Sequence, residues 1–125
     1  MPTQRQTRSP QRGEIWFVKL PTDPPEKNDR PVVVVSIEAR NAHERATTVL
    51  VVPLSTTPAR LPTHISLTPG ETGFSEPSTI QAENITTVRK ASLREPSQRL
   101  RRLPESVIEK IARGVQMAMG FTDGS

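Results

Sequence analysis

Apolar positions along the chain follow two rhythms: short β-branched runs between residues 13 and 88, and a three- and four-residue recurrence after residue 103. Gly13-Glu14-Ile15-Trp16-Phe17-Val18-Lys19-Leu20 is rich in β-formers and ends at Pro21, which has no amide hydrogen to continue a ladder. It predicts a first strand, and residues 21–29 read as a loop. Arg30-Pro31-Val32-Val33-Val34-Val35-Ser36 is a continuous run too short for a helix of this composition, and predicts a strand buried on both faces. Thr47-Thr48-Val49-Leu50-Val51-Val52-Pro53-Leu54 has the same character and predicts its neighbour in the core, with room for one helical turn in residues 37–45. His64-Ile65-Ser66-Leu67 alternates polar and apolar, residues 78–88 supply one or two further strands, and Pro69-Gly70 and Glu76-Pro77 mark turns. Val107, Ile108, Ile111, Val115, Ala118 and Met119 then recur at helical spacing, with Pro104 and Glu105 before them and Gly120 after. They predict one amphipathic helix over about residues 104–120.

The thirteen prolines fall almost entirely between these segments, which favours many short strands over a bundle. The expectation is a mainly β, α+β chain: a small closed or half-closed barrel of five to seven strands with a C-terminal helix. At 125 residues it makes one domain, residues 13–125. Residues 1–12 mix Gln, Thr, Ser, Pro and Arg with nothing apolar after Met1, and read as a flexible basic arm. With no cysteine, disulfides, thiol nucleophiles, Cys-bound zinc and iron–sulfur clusters drop out. No apolar run approaches the ~20 residues of a membrane span and the N-terminus lacks a signal-peptide core, so a cytoplasmic protein without membrane contact is expected. Aromatics are only 3% of the residues, which leaves charge as the means of holding nucleic acid. The net charge of +4 is unevenly placed: residues 1–12 carry three arginines and no acid, and residues 89–102 carry six cations against Glu95 alone.

The sequence has no Gly-rich phosphate loop, no Gly-x-Ser-x-Gly elbow and no His-Glu-x-x-His, and its two histidines, His43 and His64, are too few for a multi-His metal site. Arg30 stands at the mouth of a core strand after the polar loop Glu26-Lys27-Asn28-Asp29. A cation there suits phosphate, or it pairs with Asp29 or Glu26 on the surface. Ser55, Thr56 and Thr57 follow the third strand, as a hydroxyl-bearing strand end or as simple turn chemistry. Adjacent strands would bring the guanidinium and a hydroxyl into one pocket, a pair suited to a phosphodiester gaining negative charge. Trp16 reads as core, interface or a base-stacking platform.

Five pieces in order, Gly13-Glu14-Ile15-Trp16, Glu26 with the run 30–36, Val52-Pro53-Leu54-Ser55-Thr56, Leu61-Pro62-Thr63-His64-Ile65, and Gly73-Phe74 with 78–88, resemble the MazF/PemK toxins. These are the endoribonuclease half of type II toxin–antitoxin pairs, and the resemblance runs from Gly13 to about Phe121. It implies an SH3-like barrel of the CcdB/MazF type that forms a homodimer, cuts single-stranded mRNA at a short sequence without metal or other cofactor, and is held in check by a MazE-like antitoxin. The family's catalytic arginine falls on Arg30 and its hydroxyl residue on Ser55, with Thr56 one position away. Its acidic–amide pair falls on Glu83-Asn84, while the basic residue usual two positions later is replaced by Thr86. Arg89 or Lys90 would have to supply that cation if the site needs it. Asn28-Asp29 stands where glycine is common, two residue types that tolerate left-handed backbone.

The implied chemistry is attack of a ribose 2′-OH on the adjacent phosphorus, giving a 2′,3′-cyclic phosphate and a 5′-OH, with Arg30 and Ser55 stabilising the phosphorane. Glu83 is a candidate base if it points into the groove, and otherwise anchors a loop or the dimer. His64 begins an alternating strand, away from the family's catalytic positions. Lys27, Asn28, Arg60, Asn84, Arg89 and Lys90 are the expected RNA contacts. The basic segment 89–102 extends the RNA track, attracts an acidic antitoxin tail, or is a solvated loop. The rival function is a non-enzymatic toxin of the same fold that poisons DNA gyrase, or a decayed toxin that binds RNA or antitoxin without cutting.

Overall fold

In the computed structural model, which describes residues 8–121, the β-branched runs form six strands. These are β1 (Ile15–Val18), β2 (Arg30–Val34), β3 (Thr48–Ser55), β4 (His64–Leu67), β5 (Ser78–Gln81) and β6 (Thr86–Arg89). Two short helices, α1 (Glu38–Ala42) and α2 (Pro69–Thr72), lie between strands, and α3 (Glu105–Ala118) follows them. Every pairing is antiparallel. β1, β2 and β3 are neighbours in that order, and β3 is shared: residues 48–51 pair with β6 and residues 54–55 with β5, which carries β4 on its other edge. The 78–88 stretch gives two strands because a 3₁₀ turn, Ala82–Asn84, breaks it and sends its halves to opposite ends of β3.

Two prolines stand inside strands at positions that need no donor. Pro31 is opposite Phe17, whose own N–H and C=O are turned away from β2 to Arg94. Pro53 lies between Val51, the last β6 partner, and Leu54, the first β5 partner, so its missing amide falls where β3 changes neighbours. The sheet is not closed by a continuous ladder. A single bridge, in which Phe17 and Arg94 exchange backbone hydrogen bonds of 2.9 and 2.8 Å, ties the chain beyond β6 to β1, so the expected barrel is half-closed.

The valine runs are buried on both faces, as a doubly covered strand requires. Val32, Val34, Val49 and Val51 pack with Trp16, Val18, Leu20, Val88 and Leu93 in the concave interior. Val33, Val52, Leu54 and Ile80 pack on the other face against Leu103, Val107, Ile108 and Ile111. Trp16 is fully buried and belongs to the core. α3 begins one residue later and ends two earlier than its spacing predicts. Gly114 is its last buried residue; Ala118 and Met119, expected on the apolar face, are exposed because the helix continues beyond its contact with the sheet.

The flexible arm expected over residues 1–12 is corrected for the part described. Residues 1–7 lie outside the described residues, but 8–12 are tied down. The Glu14 carboxylate accepts from Arg8 Nη1, the Gln11 N–H and Trp16 Nε1 at 2.8–3.0 Å, and Arg102 donates to Arg12 O and Gln11 Oε1. Gly13 completes the seam. Its φ of 92° is left-handed, its backbone bonds both Val34 O and the Leu103 N–H, and a Cβ there would stand 2.5 Å from Leu103 O. Among the described residues no helix is long and apolar enough to cross a membrane.

Candidate active site

β2 and β3 run antiparallel with Val32 opposite Pro53, so the first residue of β2 and the last of β3, Arg30 and Ser55, meet at the same end of the sheet. Both line a groove of about 530 Å³. Lys27 in the β1–β2 loop and Thr56 and Thr57 after β3 add to its walls; Ser78 and Gln81 of β5 and residues 74–76 after α2 complete it.

Arg30 is mostly covered and held from several sides. Its Nη2 donates to Leu54 O at 3.0 Å and to Gln81 Oε1 at 3.4 Å, and its Nη1 lies 3.6 Å from Asp23 Oδ1. The surface partners expected for it, Asp29 and Glu26, do not serve: Asp29 instead pairs with Arg94 at 3.0 Å. Ser55 Oγ accepts the Thr57 N–H at 3.0 Å, so the turn chemistry and the groove position coexist. That bond uses an oxygen lone pair and leaves the hydroxyl hydrogen for another acceptor. Asn28 is exposed beside Lys27, and among the described residues only glycines have positive φ, so neither Asn28 nor Asp29 takes the left-handed backbone their identity would allow.

Gln81 and Asp23 contact Arg30 without having been expected to from the sequence. Gln81 Oε1 accepts from both Arg30 Nη2 and Asn84 Nδ2, each at 3.4 Å, and so joins Asn84 to the groove. The signal was the alternation of β5, which sets Gln81 beyond the Thr79–Ser55 pair.

Glu83 is not in the groove wall. Its Oε1 accepts from Thr63 Oγ1 at 2.6 Å and its Oε2 lies 3.0 Å from His64 Nε2. Burial works against the charged form, but hydrogen bonds from Thr63, its own backbone and His64 outweigh it and hold the carboxyl below the ordinary glutamate range. Both its oxygens are thus engaged and its proton affinity is lowered, an arrangement that suits a loop anchor better than a base. His64 Nδ1 accepts the backbone N–H groups of Arg60 and Leu61, which assigns the proton to Nε2. Arg60 therefore meets this anchor through its backbone, while the residue itself is exposed.

Arg89 and Lys90 do not replace the cation lost at Thr86. Arg89 pairs with Thr48, seven residues along β3 from Ser55, or about 23 Å at ~3.3 Å per residue. Lys90 Nζ donates to Arg40 O and His43 O, both at 2.9 Å, and so satisfies carbonyls at the end of α1. Burial, then the nearby Arg40 charge, pushes its amine down. Thr86 itself lies opposite Val51.

The family profile of the PemK-like, MazF-like toxins of type II toxin–antitoxin systems matches residues 11–119. Endoribonuclease EndoA of Bacillus subtilis (strain 168) is 26% identical over 114 residues, spanning 90% of this chain and 96% of that protein. Among solved structures, an endoribonuclease in complex with its cognate antitoxin from a mycobacterial species is 25% identical with a TM-score of 0.69, covering 91% of this chain and 98% of the other. A MazF from Deinococcus radiodurans, 18% identical, shares the fold at a TM-score of 0.70, with 91% and 99% covered.

Proposed function

The chain belongs to the PemK-like, MazF-like toxins of type II toxin–antitoxin systems, and we propose that it is the endoribonuclease of such a pair, cutting single-stranded RNA in the groove shared by Arg30 and Ser55. The observation that carries this reading is the meeting of a fixed guanidinium and a hydroxyl at two opposed strand ends in one open groove.

The substrate supplies its own nucleophile. A ribose 2′-oxygen forms a bond to the adjacent phosphorus, the bond from phosphorus to the 5′ oxygen breaks, the 2′ proton leaves to solvent, and a proton reaches the departing oxygen. The products are a 2′,3′-cyclic phosphate and a 5′-OH. Arg30 stabilises the extra charge of the phosphorane and does not act as the base. Leu54 O and Gln81 hold its guanidinium in place, which lowers the reorganisation needed as charge develops. Ser55 donates its free hydroxyl hydrogen to a phosphoryl oxygen. Lys27, Asn28, Thr56, Arg60 and Asn84 contact the strand along the rim.

The antitoxin is a second polypeptide that blocks this groove, and the toxin acts inside the cell. It works as a homodimer, for which exposed Ile37, Leu61, Met119 and Phe121 provide apolar surface; light scattering should return twice the chain's 13.9 kDa, and a monomer mass would remove that part of the reading.

The test is incubation of purified protein with long mixed-sequence RNA in EDTA. Discrete cuts bearing cyclic phosphate are expected, and Arg30→Ala and Ser55→Ala should each lose roughly 10²–10³ in rate with melting temperature preserved. Full activity in Arg30→Ala would overturn the site. RNA left intact by folded, antitoxin-free protein, with gyrase trapped on DNA, would favour a protein-targeting toxin.

A further inference from the structure

A second cleft, of about 380 Å³, is lined by Arg8, Glu14 and Glu95 and by residues 99–102. We propose that Arg99 and Arg101 in this cleft hold two phosphates of the RNA strand outside the cut site, so that the toxin grips a longer stretch of RNA than it cleaves. The proposal rests on the RNA-cutting reading of the Arg30 groove and extends it.

Three observations carry it. First, the segment that lines this cleft packs against the turn that leads into the Arg30 groove. Gly73 approaches the backbone of residues 99–101 so closely that a Cβ would stand 3.0 Å from Arg99 O, and the Arg101 N–H bonds Thr72 O at 2.8 Å. The next residue, Phe74, lines the Arg30 groove. At its other end the same basic segment is pinned to the groove's rim, where Arg94 pairs with Asp29, next to Arg30. Residues 99–101 therefore lie one residue from the groove's Phe74, within reach of a strand that leaves the groove on that side.

Second, the charges that face this cleft are sorted. Glu14 and Glu95, its carboxylates, both accept from Arg8. Arg102 is committed to Glu38, Arg12 O and Gln11 Oε1. Arg99 and Arg101 are exposed, and among the described residues neither side chain makes a hydrogen bond or ion pair. The two carboxylates share one guanidinium and keep one negative charge between them, which the two uncommitted guanidiniums of Arg99 and Arg101 exceed, so the cleft stays net positive toward a polyanion.

Third, the spacing fits a chain of phosphates. Leu100 packs inward against the core between them, so Arg99 and Arg101 are alternate residues displayed to solvent. In a chain close to extended, alternate residues stand ~7 Å apart, comparable to successive phosphates on a stretched single strand. Guanidiniums read phosphates without reading bases, so this face adds affinity and leaves the choice of cut sequence to the groove.

The test compares wild type with the Arg99→Gln/Arg101→Gln double variant on two substrates: a short oligoribonucleotide spanning only the cut motif, and the same motif embedded in a long strand. The ratio of kcat/KM on long over short substrate should fall about tenfold in the variant, through KM. The slope of log(kcat/KM) against log salt on the long strand should flatten by about 1.4, at ~0.7 for each phosphate that the variant no longer neutralises. An unchanged ratio and slope, with melting temperature preserved, would overturn the proposal, as would loss of binding to a poly-glutamate peptide with RNA handling intact, which would make the cleft a site for acidic protein. If wild type cuts no RNA but binds the long strand with a salt slope that flattens in the double variant, the catalytic reading fails while this face stands.

Discussion

Glu83 and His64 are the residues whose chemistry is set most completely by their neighbours. The carboxylate accepts from Thr63 and His64 and its proton affinity is lowered. A carboxyl depressed in the folded state contributes stability above its unfolded pKa and loses it as pH falls through the folded value. The wild-type melting temperature should therefore drop as pH falls below about 5, where an unfolded glutamate begins to take up its proton while the folded carboxyl resists it. Glu83→Gln should melt lower than wild type near neutrality and close much of that difference on acidification; a constant difference across the range would remove the assignment. Cleavage by this variant should survive near neutrality, unlike that of Arg30→Ala. From sequence, Glu83 stood equally as base or anchor, because its partners lie 19 and 20 positions upstream and only the fold turns its carboxylate toward them. Arg30 and Ser55 were readable for the opposite reason: two neighbouring antiparallel valine runs place the start of one beside the end of the next. Asp23 was not, since it enters through a side-chain contact that no spacing encodes, and Gln81 only as far as the alternation of β5 carries it past the Thr79–Ser55 pair.

At the scale of elements, periodicity predicted the strands and α3 well, while the partition of β3 between two partners was hidden. Continuous β-branched runs declare themselves, but the 3₁₀ turn at Ala82–Asn84 that divides β5 from β6 has no strong local signal. α2 did carry one that the turn reading passed over: Thr68 and Glu71 form a reciprocal capping box with Pro69 at the first turn, ended by left-handed Gly73. α3 reaches the sheet closely because Gly114 has no side chain. A Cβ there would meet Ala82 Cβ at 2.8 Å and Thr63 O at 3.2 Å. Gly114→Ala would gain up to ~1 kcal/mol of helix propensity against ~1–3 kcal/mol of overpacking. The close backbone contact favours the second effect. A melting temperature lowered by several degrees is expected in calorimetry, and a rise would show that α3 can shift without loss.

For the whole molecule, α3 and the segment leading to it cover the apolar residues on one face of the sheet from β1 to β5. Val33, Val52, Leu54 and Ile80 are buried there against Leu103, Val107, Ile108 and Ile111. A chain ended at residue 103 should lose cooperative unfolding in circular dichroism, because those apolar faces would meet water. A sharp melting transition in that fragment would contradict it. The seam that joins the two ends of the described chain also fixes the timing of its birth. Arg12 and Arg102 are 90 positions apart, and a ribosome adding ~5–20 residues per second takes roughly 5–18 s to make the stretch between them. At its end all six strands have been made, but the helix that covers the sheet has not. The fold is thereby completed only after nearly all of the chain has been made.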